Sequence, residues 1–322
     1  MKGKEVSVVI PAYNAEKHIG KMIESLAKQS FGDFEIIVVN DGSTDGTEAV
    51  ALDAIKKYGL NGRVITKKNG GQSSARNAGI KAATGKWLVM PDADDYLQCD
   101  YLKNLYDAVE KNKSEVGFCD INMVDDGNLS ENLNHDDSCV MKKGKEFFID
   151  FIKHDVKIGP VCLIMNLDFL RNNKFSFDES MGYSEEFVFI TELLYRAENV
   201  THTEQKLYNY CIRPNSVSTS IDMQGLLKTY NRLKEYEKKY NSDNVYDVAF
   251  RQLALRRWVL ASAHFCAKVM DYKEYEKIMK KLNAKREIGG LIGMKDVDIK
   301  TKMAAMLFCL SNRAFYFMVR RV

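Results

Sequence analysis

The chain has 322 residues, 45% hydrophobic and 28% charged, with a formal net charge of +3, which suits one large domain, or a domain with a helical annex, and argues against a nucleic-acid binder. The charge is uneven: sixteen Lys and Arg stand against six Asp and Glu from Arg251 onward, and thirty-one against thirty-eight before it. The basic tail reads as a solvated helical face or as a surface for an anionic membrane or a charged lipid-linked substrate.

The opening MKGKEVSVVIPAYN has too short an apolar run for a signal peptide, so none is expected. VSVVI (6–10), ending at Pro11, predicts a buried strand. Apolar residues at 19, 22, 23 and 26 predict a helix, and FEIIVVN (34–40) a second strand. Ser43, Thr44 and Asp45 offer N-caps for a helix that stops at Gly59. RVITK (63–67) predicts a third strand, SSARNAGIKAATG a helix ending at Gly85, and KWLVM (86–90) a fourth strand. A further helix and the strand EVGFCDI follow. This alternation predicts an α/β domain with a largely parallel sheet flanked by helices. Residues 122–140 are polar and aperiodic and predict a surface excursion; after 222 long helices are expected. Seven cysteines, an odd number with no CxxC pair, favour free thiols in a reducing compartment. No apolar run reaches the ~18 residues a transmembrane helix needs.

In open α/β sheets ligands bind beyond the carboxyl ends of the strands. PAYN (11–14), NDGS (40–43), NGGQSSARN (69–77) and PDADD (91–95) all follow predicted strands, so a parallel sheet would line them along one edge. The last of them crowds Asp92, Asp94 and Asp95 into four positions, where each carboxyl resists ionising beside the others unless something positive meets them. The dinucleotide fingerprint GxGxxG is absent after the first strand, and the P-loop GxxxxGK[ST] is absent throughout. A divalent cation on one or two carboxylates, bridging to a substrate diphosphate, is the other common arrangement. Asp92 and Asp94 suit it, because residues i and i+2 of an extended segment share a face. Asp95 is expected as the N-cap of the following helix. An aspartate-nucleophile phosphohydrolase also uses DxD after a strand, but after the first, with a Thr where this chain has Tyr96.

The stretches 6–47 and 69–97 resemble the GT-A-fold glycosyltransferases of family 2. The likeness is close over 5–120 and looser through FDESMGYSEEFVFITELLYRA (177–197) and YNYCIRPNSVSTS (208–220). It implies a Rossmann-like GT-A domain over 1–220, with a nucleotide-binding half (1–120) and an acceptor half (121–220), followed by a helical region over 221–322. It also implies a cytoplasmic, metal-dependent, inverting hexosyl- or N-acetylhexosaminyltransferase. Such an enzyme moves a sugar from a nucleotide-sugar, preferably UDP-linked, to a hydroxyl of a glycan or lipid-linked acceptor in cell-surface polysaccharide synthesis, with Mn²⁺ or Mg²⁺. By position, Pro11, Tyr13 and Asn14 line the nucleotide pocket, Tyr13 against the base. Asp41 bonds the uracil edge and Arg76 braces the nucleotide. Asp94 ligates the metal, with Asp92 nearer the ribose.

The family draws its base from a Glu-Asp pair at a helix start; the matching residues here are Glu185 and Glu186, so Glu replaces Asp at 186. Inversion requires a carboxylate to take the acceptor proton, and Glu186 is the expected base, with Glu185 second. Both residues would also simply favour a helix N-terminus, and a non-catalytic nucleotide-sugar binder is the rival reading. Arg213, with Ser216 and Ser218, resembles the loop that closes on the donor diphosphate, for which Arg is suited. Tyr208 and Tyr210 alternate as in a strand and are expected to pack. The tail KMAAMLFCLSNRAFYFMVRRV (302–322) predicts a helix, lying either at the inner face of the membrane or on the protein's own core.

Overall fold

The structure, a computed structural model, describes residues 4–125, 138–181, 183–213, 223–242 and 244–321. The chain divides into two compact units. One takes Met1–Phe148, Lys157–Glu179 and Phe189–Pro214; the other takes Ile149–Val156, Ser180–Val188 and Asn215–Val322.

The first unit is built on a sheet of nine strands among the described residues. β1 (Val6–Ala12) and β2 (Phe34–Asn40) are buried along their whole length, as continuous β-branched runs are in a parallel sheet covered on both faces. α1 (Ile19–Ala27) buries Ile19, Met22, Ile23 and Leu26, the four positions its spacing predicts. α2 (Thr47–Lys57), β3 (Gly62–Thr66), α3 (Gln72–Ala82) and β4 (Trp87–Val89) complete the expected alternation. β1 pairs in parallel with β2 and β4, and β2 with β3, so these four strands end on the same edge. β1 runs through Pro11 rather than stopping before it; β4 ends at Val89, opposite Val8, so the proline has a strand on one side only. α3 lies so close to β1 that a Cβ on Gly79 would sit 2.1 Å from Val9 Cγ1. A buried lock closes the opposite edge: Glu35 accepts from Ser7 Oγ (2.7 Å), Thr84 N (2.7 Å) and Arg63 Nη1 (2.7 Å).

The sheet then turns mixed. After β5 (Tyr96–Leu97) and α4 (Tyr101–Asn112) come β6 (Val116–Asp125), β7 (Cys139–Lys143), α5 (Gly144–Lys153), β8 (Leu163–Asn166), α6 (Leu167–Asn172), α7 (Glu185–Arg196) and β9 (Asn199–Ile212). The order is β3-β2-β1-β4-β8-β6-β9-β5, with β7 also on β9. β8 is antiparallel to both β4 and β6, and β9 is parallel to β6 but antiparallel to β5 and β7. The polar stretch expected to be a surface excursion from 122 is partly strand: β6 continues to Asp125 and β7 begins at Cys139. Pairing with the long β9 extends β6 beyond what its own composition suggests.

The second unit is helical, with α8 (Met223–Lys239), α9 (Val245–Ala249), a π-type turn over Phe250–Ala254, α10 (Leu255–Val269), α11 (Tyr272–Lys281), α12 (Ala284–Gly289), α13 (Ile299–Leu310) and α14 (Asn312–Arg321). Its two earlier segments are bound into it. Thr229 Oγ1 donates to Tyr183 O at 2.6 Å, and the rings of Tyr183 and Phe265 stack at 5.9 Å. Buried Arg257 donates to Lys153 O and pairs with Asp298 at 3.0 Å. The single tail helix expected over 302–322 is two helices. Ser311 is extended (φ −155°), and its Oγ accepts from Ala314 N at 3.1 Å, which caps α14.

Candidate functional site

The first two strand ends are stitched together. Beyond β1, Asn14 takes φ 48°, accepts from Thr44 N at 2.9 Å and donates its own N–H to Ser43 Oγ at 3.0 Å. Tyr13 stands exposed beside it, while Pro11 is buried inside the strand. Gly42 takes φ 73° where the 40–43 turn meets the next loop; a Cβ there would lie 2.8 Å from Asn69 N.

Asp41, expected at the edge of a uracil, is buried and turned toward the loop after β3. It accepts from Lys67 Nζ (2.7 Å), Gly70 N (3.1 Å) and Gly71 N (2.7 Å). It thereby fixes the start of α3, and a ligand at this edge would meet the loop that Asp41 shapes. Lys67 ends the predicted third strand and was missed as a site residue; an Asp on the neighbouring strand end is its only cue in the sequence.

Each of the three aspartates beyond β4 is met by its own positive or donor groups. Asp92 accepts from Gln72 Nε2 at 3.1 Å and from Arg76 Nη2 at 3.2 Å. Arg76 is fully buried and lies over the Phe177 ring at 5.2 Å. It therefore sits behind Asp92 and holds that carboxylate from within the sheet unit. Asp94 is the most open of the three, 49% exposed, and pairs with Arg213 Nη1 at 3.0 Å.

Asp95 is not an N-cap. α4 begins at Tyr101 after Asp100, and Asp95 is buried, accepting from Tyr208 Oη at 2.6 Å and from Cys211 N at 2.8 Å. Burial pushes its pKa up to about 7 against those two hydrogen bonds, and the charges of Asp92 and Asp94 add to the rise. Tyr208, expected only to pack, also accepts from Asp92 N at 3.1 Å and so ties the aspartate turn to β9. Its phenol is held protonated, first by burial and then by Asp95.

Arg213 directly follows β9, so the strand that carries Tyr208 also delivers the arginine. Ser216 and Ser218 lie outside the described residues. Glu185 and Glu186 open α7, within the segment that belongs to the helical unit, just after Ser184 with φ 58°.

Asp92 and Asp94 are oxygen donors at a polar edge, which fits a hard divalent cation. Among the described residues no three Asp, Glu, His or Cys side chains converge, so such a cation would take its remaining ligands from water and from phosphate oxygens.

The sequence profile of Glycosyl transferase family 2 matches residues 7–168. A Bacillus subtilis glycosyltransferase, EpsJ, is 30% identical over 249 residues, 76% of this chain and 71% of that protein. TarS of Staphylococcus aureus, a poly(ribitol-phosphate) beta-N-acetylglucosaminyltransferase, is 26% identical over 209 residues, 64% of this chain and 35% of that protein. The crystal structure of TarS 1-349 in complex with UDP-GlcNAc superposes with a TM-score of 0.73 at 21% identity, over 98% of this chain and 90% of that one. A Pyrobaculum calidifontis mannosyltransferase in complex with GDP-Man and Mn²⁺ gives 0.55 at 14% identity, over 97% and 89%. At these identities the two structural likenesses speak for the fold alone.

Proposed function

The chain belongs to glycosyl transferase family 2, and we propose that it transfers a sugar, with inversion, from a UDP-sugar to a hydroxyl of a glycan or lipid-linked acceptor in cell-surface polysaccharide synthesis. The observation that carries this reading is the aspartate turn. Asp94, half exposed beyond β4, lies at the same sheet edge as the loops after β1, β2 and β3, with Arg213 beside it.

Tyr13 is exposed to stack on a base, and the loops held by Asn14 and Asp41 frame the nucleoside. Asp94, with Asp92, would hold Mn²⁺ or Mg²⁺, which supplies charge neutralisation of the leaving diphosphate when bound. Arg213 pairs with Asp94 at 3.0 Å; with a cation held at Asp94, its guanidinium would be available to the donor diphosphate. Glu186, or failing it Glu185, takes the acceptor proton as the hydroxyl oxygen attacks the anomeric carbon opposite the diphosphate; an α-linked donor gives a β-linked product. TarS is named for a β-linked transfer of N-acetylglucosamine, which supports a hexosaminyl donor here. Seven free cysteines support a cytoplasmic setting, with the acceptor met at the inner face of the membrane. No helix among the described residues is long and apolar enough to cross a membrane.

The test is thermal unfolding with UDP, GDP or CDP, each with Mn²⁺ or with EDTA. At ~100 times its dissociation constant a ligand stabilises the native state by about 2.7 kcal/mol. A rise with UDP and Mn²⁺ that EDTA abolishes is expected; no rise with any nucleotide overturns the reading. Glu186→Gln should keep the thermal shift and, in a sugar-transfer assay, lose turnover by orders of magnitude, whereas unchanged turnover removes Glu186 as the base.

A further inference from the structure

α13 is apolar on almost every side, yet its own unit covers only one of them. Ala305 and Phe308 are buried. On the opposite stripe Ile299, Met303 and Leu310 are exposed by 70%, 62% and 86%, and Met306 lies between them, also exposed. Their spacing of four, three and four residues stacks them in one line along the helix. α14 adds exposed Phe317 and Met318. At 100° per residue, Lys300 and Lys302 fall on either side of the line. Arg313 lies over the rings of Tyr272 and Phe317, at 5.6 and 6.0 Å. The two helices carry Lys300, Lys302, Arg313, Arg320 and Arg321 and no acidic residue at all.

A contiguous exposed apolar stripe of this kind marks a surface that is covered in use. What covers it is set by charge. A second copy meeting this face about a two-fold axis would bring the same acid-free helices against each other, like charge on like. An anionic bilayer offers the complement, acyl chains for the methionines, leucine and phenylalanine, and phosphate headgroups for the flanking lysines and arginines. We infer that the α13–α14 face seats in the interface of an anionic membrane. The inference goes beyond the transfer reaction, because it holds whatever sugar or acceptor the enzyme uses.

The experiment is sedimentation of the full chain with vesicles of phosphatidylcholine alone, or of phosphatidylcholine and phosphatidylglycerol in equal parts. Binding to the mixed vesicles only is expected. Lys300→Gln with Lys302→Gln should weaken it about thirtyfold, and Met303→Ser with Leu310→Ser at least about tenfold. The serine substitutions and Lys300→Gln fall on exposed positions, and the melting temperature without lipid, read alongside, should hold for both pairs. Failure to sediment with the mixed vesicles, equal binding to both vesicle types, or binding unchanged in the two double variants overturns the inference. So does an oligomer that the serine pair dissociates while lipid binding persists. A missing UDP shift alongside intact lipid binding would strike the transferase reading and leave this one standing.

Discussion

Two buried carboxyls of the sheet unit show how one chemical group is pushed in opposite directions by its neighbours. Asp95 has two hydrogen bonds and two like charges nearby; burial dominates, and its pKa is pushed up to about 7. Glu35 is also penalised by burial, but hydrogen bonds from Thr84, Ser7 and Arg63 outweigh it, and its pKa falls to about 2. The Glu35 shift makes a pH prediction. The unfolded chain takes up the proton near the ordinary value of 4.5, while the native state resists until about 2. Native stability from this group is therefore complete above about 4.5 and drains away as pH falls toward about 2. Urea unfolding at a series of pH values should show Glu35→Gln with a shallower acid decline than the parent across that window. Parallel declines would mean that Glu35 is not the group responsible.

Individual strands differ in how much of their job is written locally. β1, β2, α1 and the four strand-end loops could be read from the sequence, because runs of β-branched residues and a 3.6-residue repeat are local signals. β9 could not. Its value lies in pairing with β5, β6 and β7, and those partners are distant in the chain. The hydrogen bonds of Tyr208 and the burial of Asp95 are hidden for that reason, as is the Phe177 ring under Arg76, about a hundred residues further along the chain. The break at Ser311 did have a local sign, a serine three residues before Ala314, in a stretch whose apolar content masks it. β9 acts as a beam: Tyr208 and the Cys211 amide hold Asp95, Tyr208 also holds the Asp92 amide, and Arg213 reaches Asp94. Removing one hydroxyl by Tyr208→Phe leaves a buried carboxyl short of a donor and a backbone N–H without its acceptor, at a cost of roughly 1–3 kcal/mol. We expect a lower melting temperature and also about tenfold weaker UDP binding in Mn²⁺, measured by calorimetry. A lower melting temperature with unchanged UDP affinity would reduce Tyr208 to a packing residue.

Across the molecule, the segments that matter for transfer do not follow the order of the chain. The family resemblance implies a catalytic domain over 1–220, with a helical region after it. Yet 149–156 and 180–188 fold with the helical unit, and the second of these carries Glu185 and Glu186. Their ties are specific: Tyr183 is held by Thr229 and Phe265, Ser180 by Lys228, and Lys153 by Arg257. A chain ending at 220 loses every one of these partners, and the two segments left without them carry Phe151, Ile152 and Val188, all buried in the full chain. Exposing three large apolar side chains costs about 1.5–3 kcal/mol each, which is comparable with the whole stability of a typical domain. The truncated chain should therefore melt earlier and over a broader range. It should be cut by protease within 149–156 and 180–188, where the full chain resists, and it should lack turnover because the carboxylate proposed as base has lost its support. The sheet unit keeps Asp92, Asp94 and Arg213, so a residual response to UDP and Mn²⁺ in the truncated chain would separate donor binding from catalysis. If the truncated chain instead melts as cooperatively as the parent with 180–188 protected, the segment that carries Glu185 and Glu186 does not depend on the helices after 220.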